Sequence, residues 1–191
     1  MSTALGDLFA ARRHRLTVED FHRMGDAGLF APDARMELIE GEIIDMTPIG
    51  SAHASRVRRL ADLLTTQLHG KAVVAVQDPV HLGDRSEPQP DLAVLRYRAD
   101  FYASAHPDPG DVLLLIEVAD TSVRFDREVK IPLYARHNIP EVWLLDLEAG
   151  AMEVYRHPQA GAYRDLSTLR SGTLSPHAFP ALAVDLDTLI G

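Results

Sequence analysis

The 191-residue chain contains no cysteine, which excludes disulfides and thiolate metal sites. It has neither a GxGxxG run nor the glycine–lysine phosphate loop of nucleotide-binding folds, so a small-molecule binder of that α/β kind is set aside. No stretch is long and apolar enough to span a bilayer, and MSTALGDLFAARRHR lacks the apolar core of a signal peptide. The reading is a cytoplasmic protein with no membrane partner. Positive charge is in deficit: 28 acidic residues against 19 basic ones give a net charge of -9. That argues against a protein that simply coats nucleic acid, because such binding rests on cationic contacts to phosphates. It leaves open an enzyme that meets phosphate through a bound metal ion, which brings its own positive charge. Lysine is nearly missing as well. Of the basic residues 17 are arginine, leaving Lys71 and Lys130.

What is present has the balance of a globular domain, with 46% hydrophobic and 25% charged residues. No repeat, low-complexity run or long linker interrupts it, so residues 1–191 read as one domain. Thr17 followed by Asp20 marks a helix start, giving an N-terminal helix over 16–25 that Gly25 would stop. ARMELIEGEIIDM reads as a hairpin turning at Glu40-Gly41. From Ser51 to Gly70 the spacing of Val57, Leu60, Ala61, Leu64 and Leu68 is helical. Residues 72–76 and 91–95 form short aliphatic strands, and DVLLLIEVA at 111–119 is a strand covered on both faces. Residues 123–137 read as a helix in which Pro132 forces either a kink or a fresh first turn. EVWLLDL and AMEVYRH make a second hairpin around Glu148-Ala149-Gly150. After about residue 160 comes an extension of loop and short closing helix. The fold class is α/β: an α+β mixed sheet flanked by helices.

Two carboxylates stand in informative places. Asp91 opens the run DLAVL, and Glu117 lies inside DVLLLIEVA, where an unpaired carboxylate costs several kcal/mol or takes up a proton. On neighbouring strands they would converge, and with the Val118 carbonyl they would suit Mg²⁺ or Mn²⁺. The alternative is that Glu117 pairs with an arginine and Asp91 caps a turn. Lys130, 13 residues beyond Glu117, offers a compact mobile ammonium where this chain otherwise uses arginine. It either serves a phosphate oxygen or an attacking water, or sits solvated on a helix face. His53 reads as a phosphate contact or as a capping residue. Arg56 with Arg59, and Arg12, Arg13 and Arg15, are basic groups whose better reading is solvated surface. Tyr134 and Trp143 read as core.

The succession MELIEGEI, PIGSAH, QPDLAVL, LIEVADTS and FDREVKIPLYARHNIPEVWLLD resembles the Uma2 family, also called DUF820, of the PD-(D/E)XK restriction-endonuclease-like nucleases. Each motif alone is weak, but five occur in order between Met36 and Asp146. The resemblance implies a restriction-endonuclease-like core and a metal-dependent endonuclease acting on nucleic acid, DNA above all, often as a homodimer. It implies that Asp91 and Glu117 are metal ligands and that Glu37 completes the metal site. The lysine usual two residues after the second carboxylate is replaced by Ala119, and the resemblance moves that role to Lys130. His53 and Gln77 match positions near the same cleft. Asp120 stands where the family commonly has serine, adding an acid. A catalytically silent nuclease-fold domain, used for binding or dimerisation, is the competing expectation.

Overall fold

The computed structural model describes residues 14–31 and 33–190. These form two compact units, one of residues 14–46 and 83–88, the other of residues 47–82 and 89–190.

The smaller unit opens with α1, Val18–Asp26. Thr17 and Asp20 close a reciprocal capping box, as their spacing predicts. The stop is later than expected. Gly25 stays helical, and Gly28 (φ +70°) ends the helix, with Gly28 N–H bonded to the Gly25 carbonyl and Leu29 N–H to the Met24 carbonyl. Glycine reaches this left-handed backbone without a Cβ penalty, so the end falls at the later of the two glycines. The hairpin follows as β1, Met36–Ile39, and β2, Glu42–Asp45. Its turn residues Glu40 (φ +50°) and Gly41 (φ +79°) are both left-handed, as a tight hairpin twist requires. A Cβ on Gly41 would lie 2.8 Å from Arg15 Cβ and 2.9 Å from the Leu16 carbonyl, so only glycine fits.

The larger unit is built on a six-stranded sheet with spatial order β3-β4-β5-β6-β7-β8. Its strands are β3 (Ala72–Val76), β4 (Leu92–Arg96), β5 (Val112–Ala119), β6 (Glu141–Asp146), β7 (Ala151–Gln159) and β8 (Ala162–Leu169). Only β5 and β6 run parallel; the other neighbours are antiparallel. A parallel pair needs a crossover, and residues 123–136 supply it as helix. That crossover comprises α3 (Val123–Phe125), a π-helical segment (Asp126–Lys130) and α4 (Ile131–Arg136). Pro132 therefore marks a fresh first turn. Helix α2, Ser51–Leu68, buries the stripe Val57, Leu60, Leu64 and Leu68 in a core shared with Leu92, Val94, Leu114, Ile116 and Trp143.

Two features of the tail depart from expectation. Residues 162–169 are not a loop but β8, paired along its length with β7. Its sequence, AYRDLSTL, is mostly exposed, so an edge strand held by the ladder gave no apolar signal. A small antiparallel pair, β9 (Thr173–Leu174) with β10 (Val184–Asp185), then leads into the closing helix α5, Leu186–Ile190.

Candidate active site at one end of the sheet

The antiparallel register pairs Leu92 of β4 with Ile116 of β5. One step further along the ladder, Asp91 comes opposite Glu117. The two carboxylates expected to converge therefore belong to adjacent strands at one end of the sheet.

Asp91 is 8% exposed, and three donors hold it. Its Oδ2 accepts from the Val118 backbone N–H at 2.9 Å and contacts His53 Nε2 at 3.0 Å; its Oδ1 accepts from Gln77 Nε2 at 3.0 Å. Burial works to raise its proton affinity, but the bonds from His53, Gln77 and the Val118 amide outweigh it, leaving Asp91 below the usual carboxylate range. Each donor has a local reason to be there. His53 lies in the first turn of α2, and Gln77 follows β3 in a left-handed conformation (φ +57°), its N–H bonded to the Asp91 carbonyl. Asp91 thus ties two strands and a helix together, rather than capping a turn.

Glu117 is 3% exposed, and its Oε1 accepts from the Tyr134 hydroxyl at 2.5 Å and from Lys130 Nζ at 3.3 Å. Burial is the largest influence on it and drives its pKa up to about 8; Lys130 and Tyr134 pull the other way, while Asp126 and Asp91 push with burial. One ammonium in a dry setting does not offset the cost of a charge flanked by two others. The partner is lysine, not the arginine of the alternative reading, and Lys130 is itself only 4% exposed. It is not solvated on a helix face. Asp126, buried beside them, accepts from Ser122 Oγ at 2.7 Å.

Residues 18–187 match the model of the Uma2 family, described as "Putative restriction endonuclease". The chain belongs to the Uma2 family. Among solved structures it is similar to that titled as a putative nuclease belonging to DUF820 from Anabaena variabilis ATCC 29413. The TM-score is 0.71 at 16% identity, over 92% of this chain and 97% of that one. At that identity the likeness establishes the fold alone, a mixed α+β sheet flanked by helices. No curated protein matches.

Within this Uma2 chain the sequence-predicted residues fall into two bonded sets on adjacent strands: Asp91 with His53, Gln77 and the Val118 N–H, and Glu117 with Lys130. Glu37 lies in the smaller unit, buried on β1 opposite Ile44. Asp120 is exposed beyond β5. The basic candidates are otherwise engaged: Arg59 NH1 donates to the Thr188 carbonyl at 3.4 Å, and Arg15 pairs with Glu42 at 2.7 Å. Arg12 and Arg13 lie outside the described residues. Trp143 is core as expected, its Nε1 donating to Glu141 at 2.8 Å. Tyr134 is core too, but its hydroxyl reaches the site. The missed signal was spacing, since Tyr134 stands four residues beyond Lys130 on the same helical stretch.

The donor set is compatible with a hard divalent cation. Two carboxylates come from adjacent strands, one of them buried at the cost of its ionisation, and a bound cation would offset that cost. No three His, Asp or Glu side chains among the described residues are grouped closely enough to hold an ion alone. Two carboxylates are the kind of donor that Mg²⁺ or Mn²⁺ takes when it keeps several waters and shares a substrate phosphate.

Proposed function

We propose that this chain is a metal-dependent endonuclease that hydrolyses phosphodiester bonds in nucleic acid, DNA in the first place, with Mg²⁺ or Mn²⁺ held by Asp91 and Glu117. The observation that carries the reading is the buried trio of Glu117, Lys130 and Asp91 at one end of two adjacent strands in a Uma2 chain. The family resemblance adds Glu37 to the ligands, and Glu37→Gln tests that part separately.

When bound, the cation supplies Lewis-acid polarisation of a phosphoryl oxygen and a bound water of lowered pKa. The chain's own residues do the rest. His53, Gln77 and the Val118 N–H lock the Asp91 carboxylate in one orientation, so it reaches a ligand pre-organised. Lys130 bonds to Glu117 at 3.3 Å, and its flexible stem lets the ammonium turn toward a phosphate oxygen or the attacking water. There it offsets negative charge that builds up as the water attacks. With a chain net charge of -9, attraction for a polyanion must be local to this end of the sheet. A cytoplasmic setting and a second copy of the chain, for cutting both strands of a duplex, belong to the same reading.

The test is cleavage of supercoiled and linear duplex DNA, single-stranded DNA and RNA in Mg²⁺ or Mn²⁺. The wild type is expected to cut at least one substrate only with metal, and Glu117→Ala and Lys130→Ala to cut none measurably. A wild type that binds but never cuts would favour the catalytically silent domain. Variants that cut as well as wild type would remove these residues from the chemistry.

A further inference from the structure

The crossover between β5 and β6 carries three polar side chains spaced by four residues: Asp126, Lys130 and Tyr134. In an unbroken α-helix each step of four overshoots a full turn by about 40°, so three such groups fan out over about 80°. Here Asp126–Lys130 is a π-helical segment, closed by a bond from Ile131 N–H to the Asp126 carbonyl. A π-turn holds about 4.4 residues, so its step of four undershoots by about 30° and nearly cancels the overshoot of the next. All three groups therefore share one face, and all are buried, at 4%, 4% and 0% exposed. The sequence supplies a cause. Pro132 has no N–H to donate and its ring would crowd the Glu128 carbonyl in a regular helix, and a widened turn relieves both.

On that face Lys130 and Tyr134 both donate to the same oxygen, Oε1 of Glu117. A carboxylate gripped at one oxygen by two donors on a rigid helix cannot rotate freely, so its other oxygen has one fixed direction. A tyrosine kept only to fill the core would not need its hydroxyl on this carboxylate. Tyr163 shows the plain case: it is half-buried and spends its hydroxyl on the Ile139 carbonyl, at 2.8 Å.

We propose that Tyr134 is a positioning residue of the site, its hydroxyl fixing the Glu117 carboxylate in the orientation that takes up a divalent cation. This rests on the reading of Glu117 as a cation ligand. The hydroxyl acts through Glu117 and touches neither cation nor substrate. Its loss is therefore felt in affinity for the ion, as with other partners that hold a metal ligand in place.

The experiment is calorimetric titration of the full chain with Mn²⁺ alone, in the absence of nucleic acid. Four proteins are compared with wild type: Tyr134→Phe, Tyr163→Phe, Glu117→Gln and the double variant Tyr134→Phe/Glu117→Gln. Circular dichroism melting checks that each is folded. Tyr134→Phe keeps the ring and is expected to weaken Mn²⁺ binding about tenfold or more. Tyr163→Phe loses a half-buried hydroxyl that is bonded to the Ile139 carbonyl and not to Glu117, and should leave the Kd unchanged. In the Glu117→Gln background, Tyr134→Phe should have no further effect, because the two act as one unit. A folded Tyr134→Phe that binds Mn²⁺ as tightly as a binding wild type would overturn the role of Tyr134 and leave the cation reading standing. So would an equal loss in Tyr163→Phe. A wild type that binds no Mn²⁺ would overturn both.

Discussion

Two carboxylates are buried in the same sheet within a few residues of each other, and they are held in different ways. Glu117 on β5 is opposite Leu144 of β6, and Glu141 lies three residues earlier on that neighbouring strand. Glu141 is 0% exposed and accepts from Trp143 Nε1 at 2.8 Å, Arg156 Nε at 2.7 Å and the His177 backbone N–H at 2.6 Å. Its charge is met by a rigid guanidinium and two further donors spread over both oxygens. Glu117 has a phenol and a flexible ammonium on one oxygen, with two other carboxylates nearby, and burial lifts its pKa to about 8. The first arrangement is a lock that joins β6, β7 and the tail. The second is a site left short of positive charge, which is the feature the proposed role as a cation ligand draws on.

The contrast breaks most visibly in catalysis. Glu117→Ala and Lys130→Ala are expected to lower the cleavage rate about a hundredfold or more, measured as initial rates on a substrate that the wild type cuts. Glu141→Ala should instead act on the fold. It leaves the Arg156 guanidinium, 29% exposed, without its main partner, and is expected to cost about 3 kcal/mol in urea unfolding. If Glu141→Ala abolished cleavage without loss of stability, the division of labour between the two carboxylates would be wrong.

The pH dependence of stability sharpens the same comparison. Folded Glu117 binds its proton up to about pH 8, against an ordinary glutamate pKa of 4.5 in the unfolded chain. Between those values the folded state holds the extra proton. The contribution is thus full below about pH 4.5 and is lost as pH rises through about 8. Urea unfolding in EDTA should show this fall in the wild type between pH 5 and 8 and a flatter profile in Glu117→Gln. Identical slopes would mean that Glu117 is ionised throughout. The smallest effect belongs to the surface of the same crossover. Arg124 and Glu128, with side chains 85% and 59% exposed, pair at 3.1 Å, and replacing either with alanine should change stability by about 0.5 kcal/mol or less.

Much of this was legible in the sequence, and the parts that were not have physical reasons. The α2 stripe, the hairpin turning at Glu40-Gly41 and the apolar run of β5 announce themselves through periodicity and turn chemistry, because burial and backbone strain impose them. Asp91 and Glu117 stood out because a carboxylate at the mouth of one strand and another inside a buried one each need an explanation. The hydrogen bonds of His53 and Gln77 to Asp91 could not be read from spacing, since they depend on how α2 and the turn after β3 return to β4. Strand β8 was hidden because an exposed edge strand has no apolar face to reveal it. Tyr134 was read as core, and it is. Its hydroxyl reaches Glu117 on the face that a π-turn brings into line, and no helical periodicity signals that turn in advance.

The most direct measurement is a crystal structure of the protein soaked in Mn²⁺, with anomalous scattering used to locate the ion. The expected result is a peak about 2.1 Å from a carboxylate oxygen of both Asp91 and Glu117, with Lys130 moved off Glu117. A protein that cleaves nucleic acid in Mn²⁺ yet shows its ion elsewhere, with the bond between Lys130 and Glu117 intact, would contradict it.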